Sequence, residues 1–524
     1  MPKEAVTYSK NGDGKGGLNL ADASQIPRED FATLKNFRRD SAKRLITRRG
    51  LGKFGNNPDG KPCTSYIFRK RDDTGGKIAI RFSGTKIYKY NEVTDEWDEI
   101  HSGVSEFETD GTTRTRWGYF VYKNTIWAGD GVSSNISITI PGGVVTTYGG
   151  LPKCRYFGYL NDVCAATGED ANPITLYYSD PLPASGANLN DNSVVVGGDE
   201  QGRCTGIKSA GNVFLVGKEK KIFSVDTGNE IAEPLNAKDG VYSQRAWLPA
   251  GDGTIMFNNE GLSTLTPRQG VEGGPALSRK PDSAKINNLL RGIFPKNYNH
   301  NCGTILDNIE YDQYMFSFDT NGNSVPDKTI VRSNLTGDYS QYTIPAAYDY
   351  GEYEMDDGTI KYILCPAVGG QMYEMEVGFE DDGSSIEYDL RTKNSDFDVP
   401  EVWKDFEMAS IFGLKNRGSE ITVEVYLDDE LATSATIDAD NTDEGAGGIP
   451  IGIRPIGLGG LAGGADFEEL YPYRIHIPLL AFGGATKIQI RLYAFAKNCI
   501  FTLDKTAIQW NGNTFDILEF EKIA

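Results

Sequence analysis

Histidine is scarce in this sequence, and its cysteines follow no pattern. The chain has three histidines, at positions 101, 300 and 476, and seven cysteines without a CxxC pair. Histidines this far apart argue against a His-based catalytic or metal cluster. The cysteine pattern argues against a zinc site and against a disulfide framework.

Long apolar runs are also missing. No stretch approaches 18 apolar residues, so no membrane-spanning helix and no membrane insertion is predicted. Residues 1–14 lack the apolar core of a signal peptide, so we expect synthesis in the cytoplasm. Apolar residues still make up 39% of the chain and aromatic residues 11%, which is enough for packed cores and excludes wholesale disorder.

Charge is unevenly distributed. The net charge is −20, yet residues 1–71 hold 16 Lys and Arg against 7 Asp and Glu. The cluster comprises Lys35, Arg38, Arg39, Lys43, Arg44, Arg48 and Arg49, with Lys53 following it. It is either a solvated face or an arm that docks on an acidic partner or on phosphates. The acidic remainder argues against general nucleic-acid binding.

Strand and turn residues dominate the middle of the chain. With 61 Gly, 23 Pro, 27 Tyr and 24 Phe, the sequence alternates short apolar runs with turn dipeptides. The turns are Ser83-Gly84, Lys123-Asn124, Asn161-Asp162, Glu260-Gly261 and Gly369-Gly370. Hairpin pairs recur every 40–50 residues or so, which predicts an all-β chain with a β-propeller of about six to eight blades over residues 55–380. Two stacked β-sandwiches are the alternative.

Two short helices are predicted. One opens at Ser24 and includes Phe31 and Leu34, within an N-terminal arm that covers residues 1–54. The other covers residues 282–293, where apolar residues recur at helical spacing.

The pattern changes near residue 380. Strands with one polar face follow, and they predict a C-terminal antiparallel β-sandwich over residues 381–524. A Gly-rich apolar stretch, residues 445–464, interrupts it. This stretch is either an interaction loop that orders in an assembly or a mobile surface loop.

The sequence contains no complete catalytic motif, so the chain is not predicted to be an enzyme. Gly55–Lys61 begins like a P-loop, but Pro62 stands where Ser or Thr must bind magnesium. One metal candidate remains, since oxygen ligands recur in the segment from 319 to 327 as they do in calcium loops. The candidate ligands are Asp319, Asn321, Asn323 and Asp327. Turn-forming residues at a hairpin tip are the alternative reading.

Exposed aromatic residues could bind sugars by stacking. The candidates are Trp97, Trp117 and Trp127. Packing inside the blades is the interpretation that we favour for all three.

The order of several short motifs resembles a family of tailed-bacteriophage proteins. The opening motifs are Gly16-Gly-Leu-Asn-Leu20, Ile26-Pro27, Leu34-Lys-Asn36 and Arg48-Arg-Gly50. Later motifs lie at 159–166, 173–181, 206–209, 213–219, 240–243, 259–262 and 381–406. Together they are similar to the β-propeller tail proteins of short-tailed phages, known as tail nozzle, tail tubular protein B or tail stabilisation proteins. Asp162 stands where that family commonly has Arg.

The resemblance implies a structural role without catalysis. Members of this family are virion components that form a ring, typically of six copies, below the head–tail adaptor ring. They extend the DNA channel and carry fibres or spikes. The resemblance therefore implies a location in the virion, with itself, the adaptor ring, fibres or spikes and passing genomic DNA as partners. The alternatives are a glycan-binding propeller and, after it, a polysaccharide-cleaving tail enzyme.

Overall fold

The computed structural model describes residues whose regular secondary structure is almost entirely β-strand. These are residues 18, 31–39, 45–70, 76–105, 117–122, 124–149, 151–181, 189, 192–210, 212–235, 240–241, 243–250, 253–258, 261–268, 276–281, 286, 305–308, 313–321, 325–334, 336–396, 402–416, 419–437, 470–496, 499, 501–503, 505–510 and 513–519. Among them the helical residues form only short 3-10 turns, such as Asp199–Gln201 and Leu480–Phe482. The all-β class predicted from the sequence is confirmed.

Four short strands make up the N-terminal segment. They are β1 (Phe31–Lys35), β2 (Phe37–Arg39), β3 (Leu45–Thr47) and β4 (Leu51–Lys53).

The following strands come in consecutive groups, and each group folds back and forth as an antiparallel sheet. The first three groups are β5 (Cys63–Lys70), β6 (Lys77–Ser83), β7 (Lys86–Asn91) and β8 (Glu96–Ser102); β9 (Gly118–Tyr122), β10 (Thr125–Gly129), β11 (Asn135–Thr139) and β12 (Val145–Tyr148); and β13 (Tyr156–Leu160), β14 (Val163–Thr167), β15 (Thr175–Tyr178) and β16 (Asn192–Val195).

Four further groups complete this part of the chain. They are β17 (Cys204–Ala210), β18 (Val213–Lys218), β19 (Ile222–Asp226) and β20 (Ile231–Pro234); β21 (Trp247–Ala250), β22 (Gly253–Asn258), β23 (Gly261–Arg268) and β24 (Ala276–Pro281); β25 (Ile305–Asn308), β26 (Gln313–Phe318), β27 (Lys328–Ser333) and β28 (Tyr339–Tyr342); and β29 (Ala347–Glu354), β30 (Ile360–Pro366) and β31 (Tyr373–Met375), which β4 joins as the fourth strand.

Tight turns set the register of these hairpins. Asn161 and Asp162 join β13 to β14 with φ values of 49° and 61°, the left-handed conformation that a two-residue hairpin needs. Asn and Asp tolerate this conformation because their short polar side chains bond locally. The Asn161-Asp162 turn predicted from the sequence is therefore confirmed.

Apolar side chains of neighbouring sheets pack against each other. One cluster joins Ile67 and Phe82 of the first sheet to Trp117 and Ile126 of the second. Other clusters join the second sheet to the third and the third to the fourth. Short sheets that pack face to face in sequence order are the arrangement of a β-propeller.

The last sheet lies against the first, so the series of sheets closes on itself. β29 runs beside β5, and the two share a core that includes Tyr66 and Ile363. Gly351 makes this approach possible, because a Cβ atom at that position would overlap the ring of Tyr66. Strand β4 of the N-terminal segment pairs with β31 of the last sheet. The chain before the ring therefore completes the sheet at the end of the ring.

Two sheets share one hydrophobic core in the C-terminal region. The strands are β32 (Ile386–Thr392), β33 (Phe406–Asn416), β34 (Ile421–Leu427), β35 (Glu430–Ile437), β36 (Leu470–Pro478), β37 (Ile488–Ala496), β38 (Thr502–Leu503), β39 (Lys505–Trp510) and β40 (Asn513–Glu519). One sheet has the order β32-β37-β34-β35, and the other has the order β36-β33-β39-β40. Buried apolar residues of both, such as Val423 and Ile411, belong to the same cluster.

Strand β1 connects the C-terminal region to the ring. It lies between β28 and β32, so that β25 to β28, β1 and the C-terminal strands form a single nine-stranded sheet. The predicted division at residue 380 is therefore bridged by the N-terminal segment. Strands β2, β3 and β38 add a second connection, where Phe37 packs edge-to-face on Phe501.

The helix predicted from Ser24 through Leu34 is wrong for its described part, because Phe31–Lys35 is strand β1. A β-bulge between Phe31 and Thr33 explains the helix-like spacing. An extra residue in a strand shifts the side-chain alternation by one, so Phe31 and Leu34 are both buried. Residues 24–30 lie outside the described part.

Two other predicted features fall outside the described residues. They are the Gly-rich stretch 445–464 and the helix 282–293, of which Ile286 alone is described and is buried. None of the helices in the described part is both long enough and apolar enough to cross a membrane.

Candidate functional site

Arg48 of the predicted docking cluster is buried and paired within its own chain. Its side chain is 1% exposed, and its Nη1 donates to Oδ1 of Asp381 at 2.9 Å. Nε donates to Oδ1 of Asn36 at 2.8 Å, and Asn36 is itself buried with a φ of 62°. Burial alone would lower the pKa of Arg48, but the bonds to Asp381 hold it above its ordinary value.

Arg39 is likewise an internal residue. Its Nη2 lies 2.9 Å from Oδ2 of Asp338, and both side chains are buried. The docking prediction is therefore corrected for Arg39 and Arg48. Because both guanidinium groups are buried and paired with a carboxylate of the same chain, they cannot contact an external partner.

Two more arginines of the cluster face a carboxylate of the ring. Arg38 and Arg49 lie, with Arg48, in the electrostatic surroundings of Glu376, which follows β31. Burial raises the pKa of Glu376, and these three arginines oppose that rise. The three arginines of the N-terminal segment therefore favour the charged form of Glu376, which lies where the ring closes.

The remaining members of the cluster are nearer the surface. Lys35 is about one-third exposed, with its Nζ 3.6 Å from Glu387 and 3.9 Å from Asp389. Lys53 is exposed, 3.5 Å from Asp382. Lys43 and Arg44 lie outside the described residues. Docking on an external partner remains a prediction for the exposed part of the cluster.

Three of the candidate calcium ligands, Asp319, Asn321 and Asp327, take part in hydrogen bonds between β26 and β27. The carboxylate of Asp327 accepts bonds from the backbone and hydroxyl of Thr320, each at 2.7 Å, and from Nδ2 of Asn321 at 2.8 Å. Oδ1 of Asp319 accepts from the backbone of Asn321. Asn323 lies outside the described residues. Hydrogen bonds account for the placement of the three described candidates, and the calcium site remains a prediction.

No grouping of three or more His, Cys, Asp or Glu side chains suited to a metal ion occurs in the described part of the chain.

A polar cluster lies where the innermost strands of several sheets meet. Arg245, just before β21, reaches Oδ2 of Asp349 on β29 at 2.8 Å. Its Nη2 also donates to Oγ of Ser65 at 2.8 Å and to the carbonyl of Trp117 at 3.1 Å, while Nη1 donates to the carbonyl of Thr64. One side chain therefore connects the first, second, fifth and seventh groups of strands.

Neighbouring residues extend this cluster. Gln244 exchanges two side-chain hydrogen bonds with the backbone of Ile207 on β17, at 2.6 and 2.8 Å. Lys208, the next residue on β17, is half-buried; desolvation and the charge of Arg245 lower its pKa to about 8. This cluster crosses the axis of the ring and holds the inner strands together by polar contacts.

Sequence reasoning did not identify Arg245. It is an isolated charge in a polar stretch, and its partners lie more than a hundred residues away in the chain. To find Arg245 from the sequence, one would first have to predict which strand of each sheet is innermost.

The three tryptophans considered for sugar stacking are buried. Trp97 and Trp117 are each 3% exposed and Trp127 is 8% exposed. The interpretation as packed core is confirmed.

Comparisons with known proteins leave the family open. No family model and no curated protein matches the sequence. Similar solved structures include the computationally designed Ika8 protein, with 10% identity over 62% of this chain and 100% of that chain, at a TM-score of 0.38. The Pan2 WD40 domain of Neurospora crassa has 8% identity over 64% and 97% of the two chains, at a TM-score of 0.37. YCF48 bound to D1 peptide has 8% identity over 63% and 97%, at a TM-score of 0.39.

Proposed function

We propose that this chain is a structural subunit of a bacteriophage tail. In this proposal residues 51–375 form a seven-bladed propeller and the C-terminal sheets form a β-sandwich. Copies of the subunit assemble into a ring, with six as the expected number, below the portal–adaptor complex. The ring extends and closes the DNA channel and anchors fibres or spikes. The proposal rests on the order of the phage-like motifs and on the rigidity of the subunit.

The observation that carries the proposal is the way the N-terminal segment connects the molecule. β4 completes the last sheet of the ring, and β1 joins the ring to the C-terminal sheets as one nine-stranded sheet. A sheet that continues across the boundary resists hinge motion, since its backbone hydrogen bonds would have to break. Such a subunit suits a part of a particle that must keep its shape.

Charge and the axial cluster favour a path for DNA between subunits. Arg245 and its partners cross the axis of the propeller, so each propeller is not itself the proposed conduit. A net charge of −20 repels phosphate, which helps DNA to slide past the protein without binding.

Images of the purified protein test this proposal. We expect negative-stain class averages to show rings with a central opening, because closed rotational symmetry turns rigid subunits into rings. Solitary particles at high protein concentration, together with the absence of the chain from mature phage particles, would overturn it.

A further inference from the structure

Two neighbouring loops of the C-terminal region expose large apolar side chains at one end of β33 and β36. Val402 and Trp403 precede β33, and Leu480 and Phe482 lie in the 3-10 turn after β36. Trp403 is 61% exposed and Leu480 is 70% exposed. These four side chains are called the apolar tip below. Contiguous exposed apolar side chains of this kind mark interaction surfaces, whereas apolar residues that are exposed singly are normal.

The two loops are fixed to each other. Lys404 and Ala485 exchange backbone hydrogen bonds of 2.9 and 3.0 Å. The buried Nζ of Lys404 donates to the carbonyls of Val402 and Thr486, each at 2.9 Å. Gly484 leaves the space that the ring of Trp403 occupies, since a Cβ there would overlap it. The apolar tip is therefore preformed, which reduces the entropy cost of binding.

The chemistry of the tip favours a protein partner. Leu480 and Val402 cannot stack on sugars, so a glycan would leave half of the tip uncovered. Exposed carboxylates of Asp405, Asp428 and Asp429 accompany it, which disfavours an anionic lipid surface. An apolar centre with an exposed tryptophan and a charged edge is typical of protein interfaces.

The sequence contains a segment that suits this surface. Residues 445–464 include four isoleucines and two leucines, and their single charged residue is Arg454. The segment lies outside the described residues. Its apolar side chains match the tip, and its one positive charge suits an edge where the three carboxylates outnumber the exposed ammonium group of Lys487.

The described chain ends at Ile437 before this segment and resumes at Leu470 after it, and both residues lie at the end of the C-terminal region away from the tip. Leu470, at the start of β36, pairs with Asn416, whereas the tip follows Pro478 at the other end of the same strand. Eight residues of strand separate the two ends, about 27 Å. Ile437 pairs with Ile421, also at the end away from the tip.

We propose that residues 445–464 of one copy dock on the apolar tip of the next copy. Because the segment and the tip are different parts of the chain, the contact joins unlike surfaces, and a repeated contact of that kind closes a ring when the rotation permits. This inference rests on the proposed function and identifies the partner as a second copy of the chain.

Cross-linking between mixed subunits tests the contact directly. One preparation carries Phe482→Cys, the other carries Ile453→Cys, and both carry Cys302→Ser, since the six described native cysteines are buried. A short bismaleimide should link the two preparations into a dimer on a denaturing gel. Phe495→Cys in place of Phe482→Cys is the matched control, and it should give no dimer. Phe495 is 62% exposed, against 45% for Phe482, and lies at the end of β37 away from the tip.

The outcomes separate this inference from the proposed function. No dimer in the mixture overturns the contact between copies. A third preparation that carries both Phe482→Cys and Ile453→Cys overturns it as well if it gives only a cross-link within one chain. Trp403→Ala should abolish ring assembly, whereas Phe495→Ala should leave it intact. Rings that persist with Trp403→Ala overturn the inference and leave the proposed function standing. Cross-linked pairs without any closed ring support the contact and contradict the proposed function.

Discussion

At the scale of single residues, the charges near the N-terminus act inside the molecule. Arg39 and Arg48 each pair with a carboxylate far away in the sequence, Asp338 and Asp381. The sequence shows a basic cluster but not its partners, since opposite charges that meet only in the folded chain leave no local pattern. Neither a solvated face nor a docking arm, the two interpretations of the cluster, describes the buried ion pairs of Arg39 and Arg48.

Arg48→Met should destabilise the protein by roughly 3 kcal/mol, because it leaves Asp381 and Asn36 without their partner in a buried setting. Lys53→Met is the matched control. Lys53 is 61% exposed, and its loss should change stability by less than about 0.5 kcal/mol. Urea unfolding followed by tryptophan fluorescence measures both. Equal stability of the two variants would contradict an internal role for Arg48.

Alkaline pH should unfold the protein through buried phenols and thiols. Burial raises the pKa of Tyr156 and Tyr350 to about 12 and that of Cys499 to about 11. The unfolded chain ionises these groups first, near pH 9–10, so it binds fewer protons than the folded chain there. Stability should then fall as pH rises from about 9 to 12.

Thermal unfolding scans between pH 7 and pH 11 measure this effect, with phenolate absorbance followed in parallel. The melting temperature should stay level up to about pH 8.5 and then decline. A constant melting temperature up to pH 11 would show that these side chains are accessible to solvent in the folded protein.

At the scale of strands and turns, the sequence predicted the inner strands well and the outer ones poorly. β6 and β14 have continuous buried residues, so their apolar runs can be recognised in the sequence. β8 and β20, the outermost strands of their sheets, are harder to recognise, because most of their residues are exposed or half-buried and form no continuous apolar run. Strand β1 was taken for a helix because its bulge gives two buried residues three apart.

Gly351→Ala should destabilise the contact that closes the ring. A Cβ atom there overlaps the ring of Tyr66, so β29 and β5 must separate, at a cost of roughly 2–3 kcal/mol. Gly149→Ala is the control, since nothing lies within 4 Å of its Cβ position. Urea midpoints compare the two variants. A Gly351→Ala midpoint equal to that of Gly149→Ala would show that β29 and β5 are not in close contact.

At the scale of the whole molecule, a closed ring of sheets is joined to a C-terminal pair of sheets through strand β1. The sequence predicted the repeated hairpins and the change near residue 380. It could not show that β1 and β4 connect these parts, because strand pairing over more than 300 residues depends on the complete fold.

The native mass of the purified chain distinguishes a self-assembling subunit from a monomer. We expect a dominant species of about six times 57.4 kDa by mass photometry or sedimentation, persisting on dilution. A single species of 57.4 kDa at every concentration would contradict the claim that this protein is built to assemble with copies of itself.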